Sequence, residues 1–159
     1  MSDLLVKLYE LPSREPALER VQGAGFVLRG AQMPESLTVT RWVEETFGER
    51  WASEVSSAFS SHPVRCVLAV SQDKELAGFA CYDVTFRGFF GPMGVSESFR
   101  DQGLGKALLL TSLHEMRGRG FAYGIIGWAS DVGYYESLLG AIEIPGSEPG
   151  AYAPPLENR

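Results

Sequence analysis

Little in this sequence can hold a metal or form a cross-link, since it contains two cysteines and two histidines in 159 residues. Cys66 and Cys81 fall in separate strand-like runs without Cys-x-x-Cys spacing, which argues against a zinc site or a redox pair and leaves two buried free thiols. His62 precedes Pro63 in a loop and His114 sits on the exposed face of a helical run; neither has a second ligand at metal spacing, so no metal is implied. Positive charge is also scarce. Fourteen Lys and Arg against 20 Asp and Glu give a formal net charge of −6 and a pI near 5.0. The bases are not gathered into a stripe, which argues against nucleic-acid binding. An acidic surface suits cationic amines and equally suits solubility alone. There is no signal peptide and no apolar run near the length of a membrane span, so a soluble, cytoplasmic protein that engages no membrane is expected. No internal repeat or low-complexity segment is present. With 45% hydrophobic residues the chain suffices for one core and is short for two domains.

What is present is a strand that turns through glycines into a helix. Phe89-Phe90-Gly91-Pro92-Met93-Gly94-Val95 reads as an apolar strand, and Lys106 to Met116 is a run of helix formers without proline. Between them lies Ser96-Glu97-Ser98-Phe99-Arg100-Asp101-Gln102-Gly103-Leu104-Gly105. The first N–H groups of a helix have no intrahelical partner and carry the positive end of its dipole, so they bind anions. Gly103 and Gly105 lack Cβ atoms and let a phosphate approach the backbone, while Arg100 and Lys106 add positive charge. A valine at Gly103 is therefore expected to block the phosphate and leave the fold intact. The pattern is not a P-loop, because Arg100 stands where the first glycine belongs and Ala107 follows the lysine. It is not a dinucleotide fingerprint either, because Leu108 replaces the third glycine.

Arg100-Asp101-Gln102-Gly103-Leu104-Gly105 does match Arg/Gln-x-x-Gly-x-Gly/Ala and resembles motif A of the GNAT superfamily of acyl-CoA-dependent N-acyltransferases. Downstream, Phe121 to Trp128 reads as a strand, and Gly133-Tyr134-Tyr135-Glu136-Ser137-Leu138-Leu139-Gly140-Ala141 resembles the family's motif B. Order and spacing fit from about Arg65 to Ala141, roughly half the chain. The resemblance implies an α/β (α+β) fold in a single domain: a twisted, mixed, largely antiparallel sheet of six or seven strands flanked by helices on both faces.

The rest of the chain reads in order as follows. Leu4 to Leu11 is a first strand broken by Pro12 and Pro16, and residues 1–24 form an N-terminal extension or added edge strand. The GNAT-like domain covers 25–145, opening with a strand at Gly25 to Ala31. Pro34 and Glu35 start a helix that stops near Gly48, and a second helix runs from Trp51 to about Ser60. Arg65 to Val70 and Leu76 to Phe86 form a hairpin; alternation puts Phe79, Cys81 and Asp83 on one face and Ala80, Tyr82 and Val84 on the other. Ile142-Glu143-Ile144 is a last strand, and 146–159 is a Pro/Gly-rich arm.

The resemblance assigns most of the chemistry. Acetyl-CoA would be the cosubstrate, its pyrophosphate held by Arg100, Gln102, Gly103, Leu104, Gly105 and Lys106, and its pantetheine arm by Met93 and Val95 at the end of the motif A strand. Gly94 suits a bulge that would splay this strand from the next. A backbone amide between Met93 and Val95 would serve as oxyanion donor, and Tyr135 would be the general acid towards the leaving thiolate. The chain departs from the family at two points. Gly91, Pro92 and Met93 offer no carboxylate where many members carry one, and Trp128 stands where an Asn is common. Deprotonation then falls to water or to Asp83, Glu54 or Glu45. Asp83 leads because an unpaired carboxylate is costly in an apolar strand, although a carboxylate at a solvated strand end explains it equally well. Trp51, Phe59 and Tyr82 are candidates for the acceptor site by placement. The expected reaction is acetyl transfer to a primary amine of a small molecule by direct attack in a ternary complex. The alternative is an acyl-CoA-binding regulatory or interaction module without transfer activity. The family resemblance also admits a homodimer.

Overall fold

Short runs of alternating or fully apolar residues build seven strands: β1 (Leu4–Lys7), β2 (Val27–Gly30), β3 (Cys66–Val70), β4 (Leu76–Tyr82), β5 (Phe89–Val95), β6 (Tyr123–Ile126) and β7 (Ile142–Glu143). The structure is a computed structural model describing residues 1–157, so the last two residues of the expected C-terminal arm lie outside the described residues. The strands form one sheet in the order β2-β3-β4-β5-β6-β1-β7. Every pairing is antiparallel except β5 with β6. Five helices cover it: α1 (Glu15–Gly23), α2 (Ser36–Phe47), α3 (Glu49–Ala58), α4 (Leu104–Gly118) and α5 (Val132–Leu139).

The sheet separates two cores. On one face α1 and α4 bury Ala17, Val21, Leu104, Leu108, Leu109 and Leu113 against Leu4, Val6, Ala80 and Ile126. On the other face Val39 and Val43 of α2, with Ala52, Val55 and Ala58 of α3, pack on Cys66, Leu68, Phe79 and Cys81. Spacings of three and four residues place each apolar set on one helix face, and period-two alternation in β4 sends Phe79 and Cys81 one way and Ala80 and Tyr82 the other. Gly48, at φ +103°, ends α2 where a residue with a Cβ would be strained, and so sets α3 directly after it.

Two N-terminal expectations need correction. The first strand stops at Lys7, where Leu8–Glu10 makes a single helical turn. It does not lie at a sheet edge: it pairs with β6 on one side and β7 on the other, with Leu4 opposite both Ile126 and Glu143. Residues 15–23, expected as part of an extension, form α1. Pro16 sits in its first turn, where no backbone N–H is needed, and so starts the helix rather than breaking a strand. His114, expected on an exposed face, is half-buried and its Nε2 lies 2.8 Å from the Pro12 carbonyl, tying the segment before α1 to α4.

Among the described residues no helix is long and apolar enough to cross a membrane.

Candidate active site

The parallel pairing of β5 and β6 is short. Phe89 and Phe90 pair with Ile125 and Ile126, after which β6 ends while β5 continues to Val95. The irregularity that accompanies this opening is at Gly91-Pro92 rather than at the expected Gly94: three steps along β5, from Phe90 to Met93, match two along β4, from Tyr82 to Ala80. Proline cannot donate to a ladder, so an extra residue is accommodated where it stands. Gly94 has a different job, because a Cβ there would meet the Phe47 ring at 2.5 Å. Ser96 N–H bonds to Ala77 O at 2.8 Å, so Ser96 faces β4 and alternation turns the backbone of Met93 and Val95 towards the gap. The Val95 carbonyl accepts from Arg100 Nε at 3.4 Å, consistent with that direction.

Beyond the gap the chain makes a helical turn at Glu97–Phe99 and enters α4 through Gly103 at φ +84°. A groove of about 460 Å³ runs along this junction, lined by Phe47, Trp51, Met93, Gly94 and Val95 and by Phe99, Arg100, Asp101, Gly103, Leu104 and Gly105. Gln102 and Lys106 belong to the loop and first helical turn but do not line the groove. The two loop glycines differ. A Cβ on Gly103 would sit 3.1 Å from Arg20 and in a backbone conformation that side chains rarely adopt, so a valine there disturbs the turn itself, contrary to the expectation of an intact fold. A Cβ on Gly105 would meet nothing within 4 Å. The space above Gly105 is open, a shape that would admit a phosphate. Arg20, from α1, had no sequence signal linking it to this loop, yet its guanidinium lies against it.

A second cavity, of about 370 Å³, lies where β5 and β6 part. Its walls include Arg50, Trp51 and Glu54 from α3, Gly91 to Met93 from β5, Gly127 and Trp128 after β6, Tyr135 from α5 and Tyr152 from the C-terminal arm. Trp51 and Met93 line both spaces, so the groove and the cavity adjoin at these two residues. Tyr135 is placed by α5, whose N-terminus is capped by the Asp131 carboxylate accepting from Tyr134 N–H at 3.0 Å. Burial holds the Tyr135 phenol above its ordinary pKa, with smaller contributions from Tyr134 and Asp131. Burial likewise raises the Glu54 carboxyl, partly offset by a hydrogen bond with Thr85 and by the charge of Arg50.

The other expected residues are elsewhere. Asp83 is 8% exposed and lines neither space: it pairs with Arg65 at 3.1 Å and accepts from Gly88 N–H at 2.7 Å. At φ +55° it ends β4 and organises the turn into β5, which is why a carboxylate follows an apolar strand. Phe59 is a core residue under α3, 5% exposed, and Tyr82 lies on the opposite face beneath Arg119, whose Cζ is 5.3 Å from its ring. Of the three acceptor candidates only Trp51 lines the cavity. Cys66 and Cys81 are opposite each other in the β3–β4 ladder and fully buried; burial pushes the Cys81 thiol well up, which leaves it a poor nucleophile.

Pro149 and Tyr152 of the C-terminal arm pack at this cavity. Trp128 Nε1 donates to the Pro149 carbonyl at 2.6 Å, and the Tyr152 ring lies 4.5 Å from the Trp128 ring and packs on Phe86 and Phe89. Burial first, then Glu54 and Asp3, push the Tyr152 phenol up to about 12. Trp128 itself is at φ +49°, and its N–H donates to Asp3 Oδ1 at 3.0 Å.

Known proteins share this architecture. A GCN5-related glucosamine N-acetyltransferase region of a fungal multi-domain GH3 β-N-acetylglucosaminidase superposes with TM-score 0.74 at 11% identity, over 90% of this chain and 19% of that one. A GCN5-related N-acetyltransferase from Sphaerobacter thermophilus gives 0.69 at 22% identity, over 90% and 48%. A GNAT family acetyltransferase from Brucella melitensis, in complex with acetyl-CoA, gives 0.56 at 17% identity, over 70% and 80%. The chain thus spans half or less of the first two. No curated protein matches the chain by sequence. The model of the acetyltransferase (GNAT) family matches residues 36–141, about two thirds of the chain. With the strand, glycine turn and helix at residues 89–118 and the opening between β5 and β6, this match establishes that the chain belongs to the acetyltransferase (GNAT) family.

Proposed function

We propose that the chain transfers an acetyl group from acetyl-CoA to a primary amine of a small molecule, with Tyr135 as general acid and Glu54, in place of Asp83, as general base. The observation that carries this reading is the junction of groove and cavity at Met93 and Trp51, with Glu54 and Tyr135 both on the cavity side. Acetyl-CoA would supply an activated acyl thioester. Gly103, Leu104 and Gly105 would hold its phosphates on free backbone N–H groups, with Arg100, Lys106 and Arg20 as nearby cations; Gln102 would shape the loop.

Each protein group then has one task. An amine must lose a proton before it attacks, and a carboxylate whose pKa is raised by burial is a better proton acceptor at neutral pH than an ordinary one. Glu54 would take that proton, directly or through water. The N–H groups of Met93 and Val95, turned into the gap, would donate to the carbonyl oxygen as negative charge develops there. Tyr135, kept protonated at neutral pH, would give its proton to the departing sulfur as the C–S bond breaks.

Calorimetry with acetyl-CoA, dephospho-CoA and pantetheine, followed by thiol release against a panel of amines, tests the reading. Micromolar binding, about −8 kcal/mol, that weakens as phosphates are lost is expected. Gly105→Val should reduce acetyl-CoA affinity at least about tenfold while leaving Tm nearly unchanged, because the added branch enters open space that only a ligand would fill. Unchanged affinity in that variant removes the cradle. Binding without thiol release from any amine favours the alternative, a coenzyme-binding module, which the absent β5 carboxylate and Trp128 would suit.

A further inference from the structure

We propose that the acceptor carries a carboxylate as well as its amine, and that Arg50 binds it; the acceptor class is a small amino acid. This inference rests on the proposed assignment of the second cavity to the acceptor. Arg50 and Glu54 are four residues apart on α3 and both line that cavity, so one helix face presents a cation and an anion one turn apart.

The state of the Arg50 guanidinium points to a ligand rather than to a structural ion pair. Its Cζ lies 4.9 Å from the centre of the Trp128 ring and 5.5 Å from that of Tyr152. Aromatic rings engage the faces of a guanidinium and leave its in-plane N–H donors available. Among the described residues Arg50 makes no ion pair, which it shares with Arg20, Arg41, Arg100, Arg117 and Arg119, but it alone of these lies over two aromatic rings in the wall of this cavity. The cavity therefore contains a braced, planar donor fork without an acceptor. A carboxylate matches that fork in two parallel hydrogen bonds. A phosphate dianion fits less well, because Glu54 one turn away and Asp3 behind Trp128 would repel the extra charge. The cavity volume of about 370 Å³ is near the low end for ligand pockets, which favours a single amino acid over a peptide. In such an acceptor the ammonium group would face Glu54 and the carboxylate Arg50.

The experiment compares amino acids with their carboxamides, which keep the amine and lose the negative charge. For each pair, the ratio of kcat/KM for acid over amide is measured in wild type, Arg50→Met and Arg50→Lys. The ratio should fall about tenfold or more in Arg50→Met, the scale of a hydrogen bond to a charged group, and less in Arg50→Lys, which keeps charge but not the fork. Acid and amide falling together would assign Arg50 a purely structural role and overturn the inference. In parallel, binding of both compounds to wild type and Arg50→Met saturated with CoA is followed by calorimetry. Tighter binding of acids than amides, lost in Arg50→Met, supports the inference even if no turnover occurs; that result would sink the transfer reading alone. Equal binding of acids and amides, or no binding of any amino acid by wild type, overturns it.

Discussion

Glu54 and Tyr135, proposed as base and acid, illustrate how one cause, burial, can tune two groups for opposite duties. Desolvation disfavours the charged form of both, which makes the carboxylate a stronger base and keeps the phenol protonated. Glu54→Gln should lower kcat about 100-fold and remove the acid limb of the rate profile, a limb that in wild type lies above the ordinary carboxylate range. The same variant has a stability signature. Because the folded pKa of Glu54 is raised, the folded state binds more protons than the unfolded one between the unfolded and folded values, and wild-type stability declines as pH rises through that window. Glu54→Gln should therefore show a higher Tm than wild type at pH 7, with the difference closing as pH falls to about 4. Equal Tm values at pH 7 would mean that Glu54 is adequately solvated. Tyr135→Phe should lower turnover about 100-fold with acetyl-CoA affinity preserved; an unaltered rate would make Tyr135 a packing residue only.

At the scale of elements, the important feature is a helix outside the matched family region. α1 lays Arg20 against the left-handed Gly103 at the entrance to α4. Arg20→Ala should weaken acetyl-CoA about tenfold and pantetheine hardly at all, with the effect diminishing as salt is raised. Tighter binding in that variant would identify Arg20 as an obstruction of the cradle. The strand pair β5–β6 is the other decisive element. Its two-residue pairing, ended by Gly91-Pro92 and the short β6, creates the gap in which both cavities meet.

For the molecule as a whole, β2 to β7, α2 to α5 and the glycine turn were legible because periodicity and local turn chemistry act over a few residues. The loop from Arg100 to Gly105, proposed to hold the phosphates, could be named for that reason. The cavity proposed for the acceptor could not, since Arg50, Glu54, Trp128, Tyr135 and Tyr152 come from α3, the end of β6, α5 and the arm, and converge only through tertiary packing. Asp83 misled because it is neither a base nor a carboxylate at a solvated strand end: it is buried, paired with Arg65 and bonded to Gly88 N–H across a turn, an arrangement that depends on a backbone angle composition does not reveal. α1 was hidden by Pro16, which punctuates a strand and begins a helix with equal ease.

The position of β1 between β6 and β7 links hydrogen exchange at distant amides. Ser2 O accepts from Ala129 N–H, Asp3 O from Ile144 N–H and Asp3 Oδ1 from Trp128 N–H, at 3.0, 2.9 and 3.0 Å. These three amides, on either side of α5, are thus protected by two residues at the other end of the sequence, and opening β1 releases all of them at once. In native-state exchange followed by NMR they should share one opening free energy and one denaturant dependence, and Asp3→Ala should lower protection at all three. Independent exchange at Ile144 would show that β7 and the arm open without β1, and that the wall of the proposed acceptor cavity is free to move by itself.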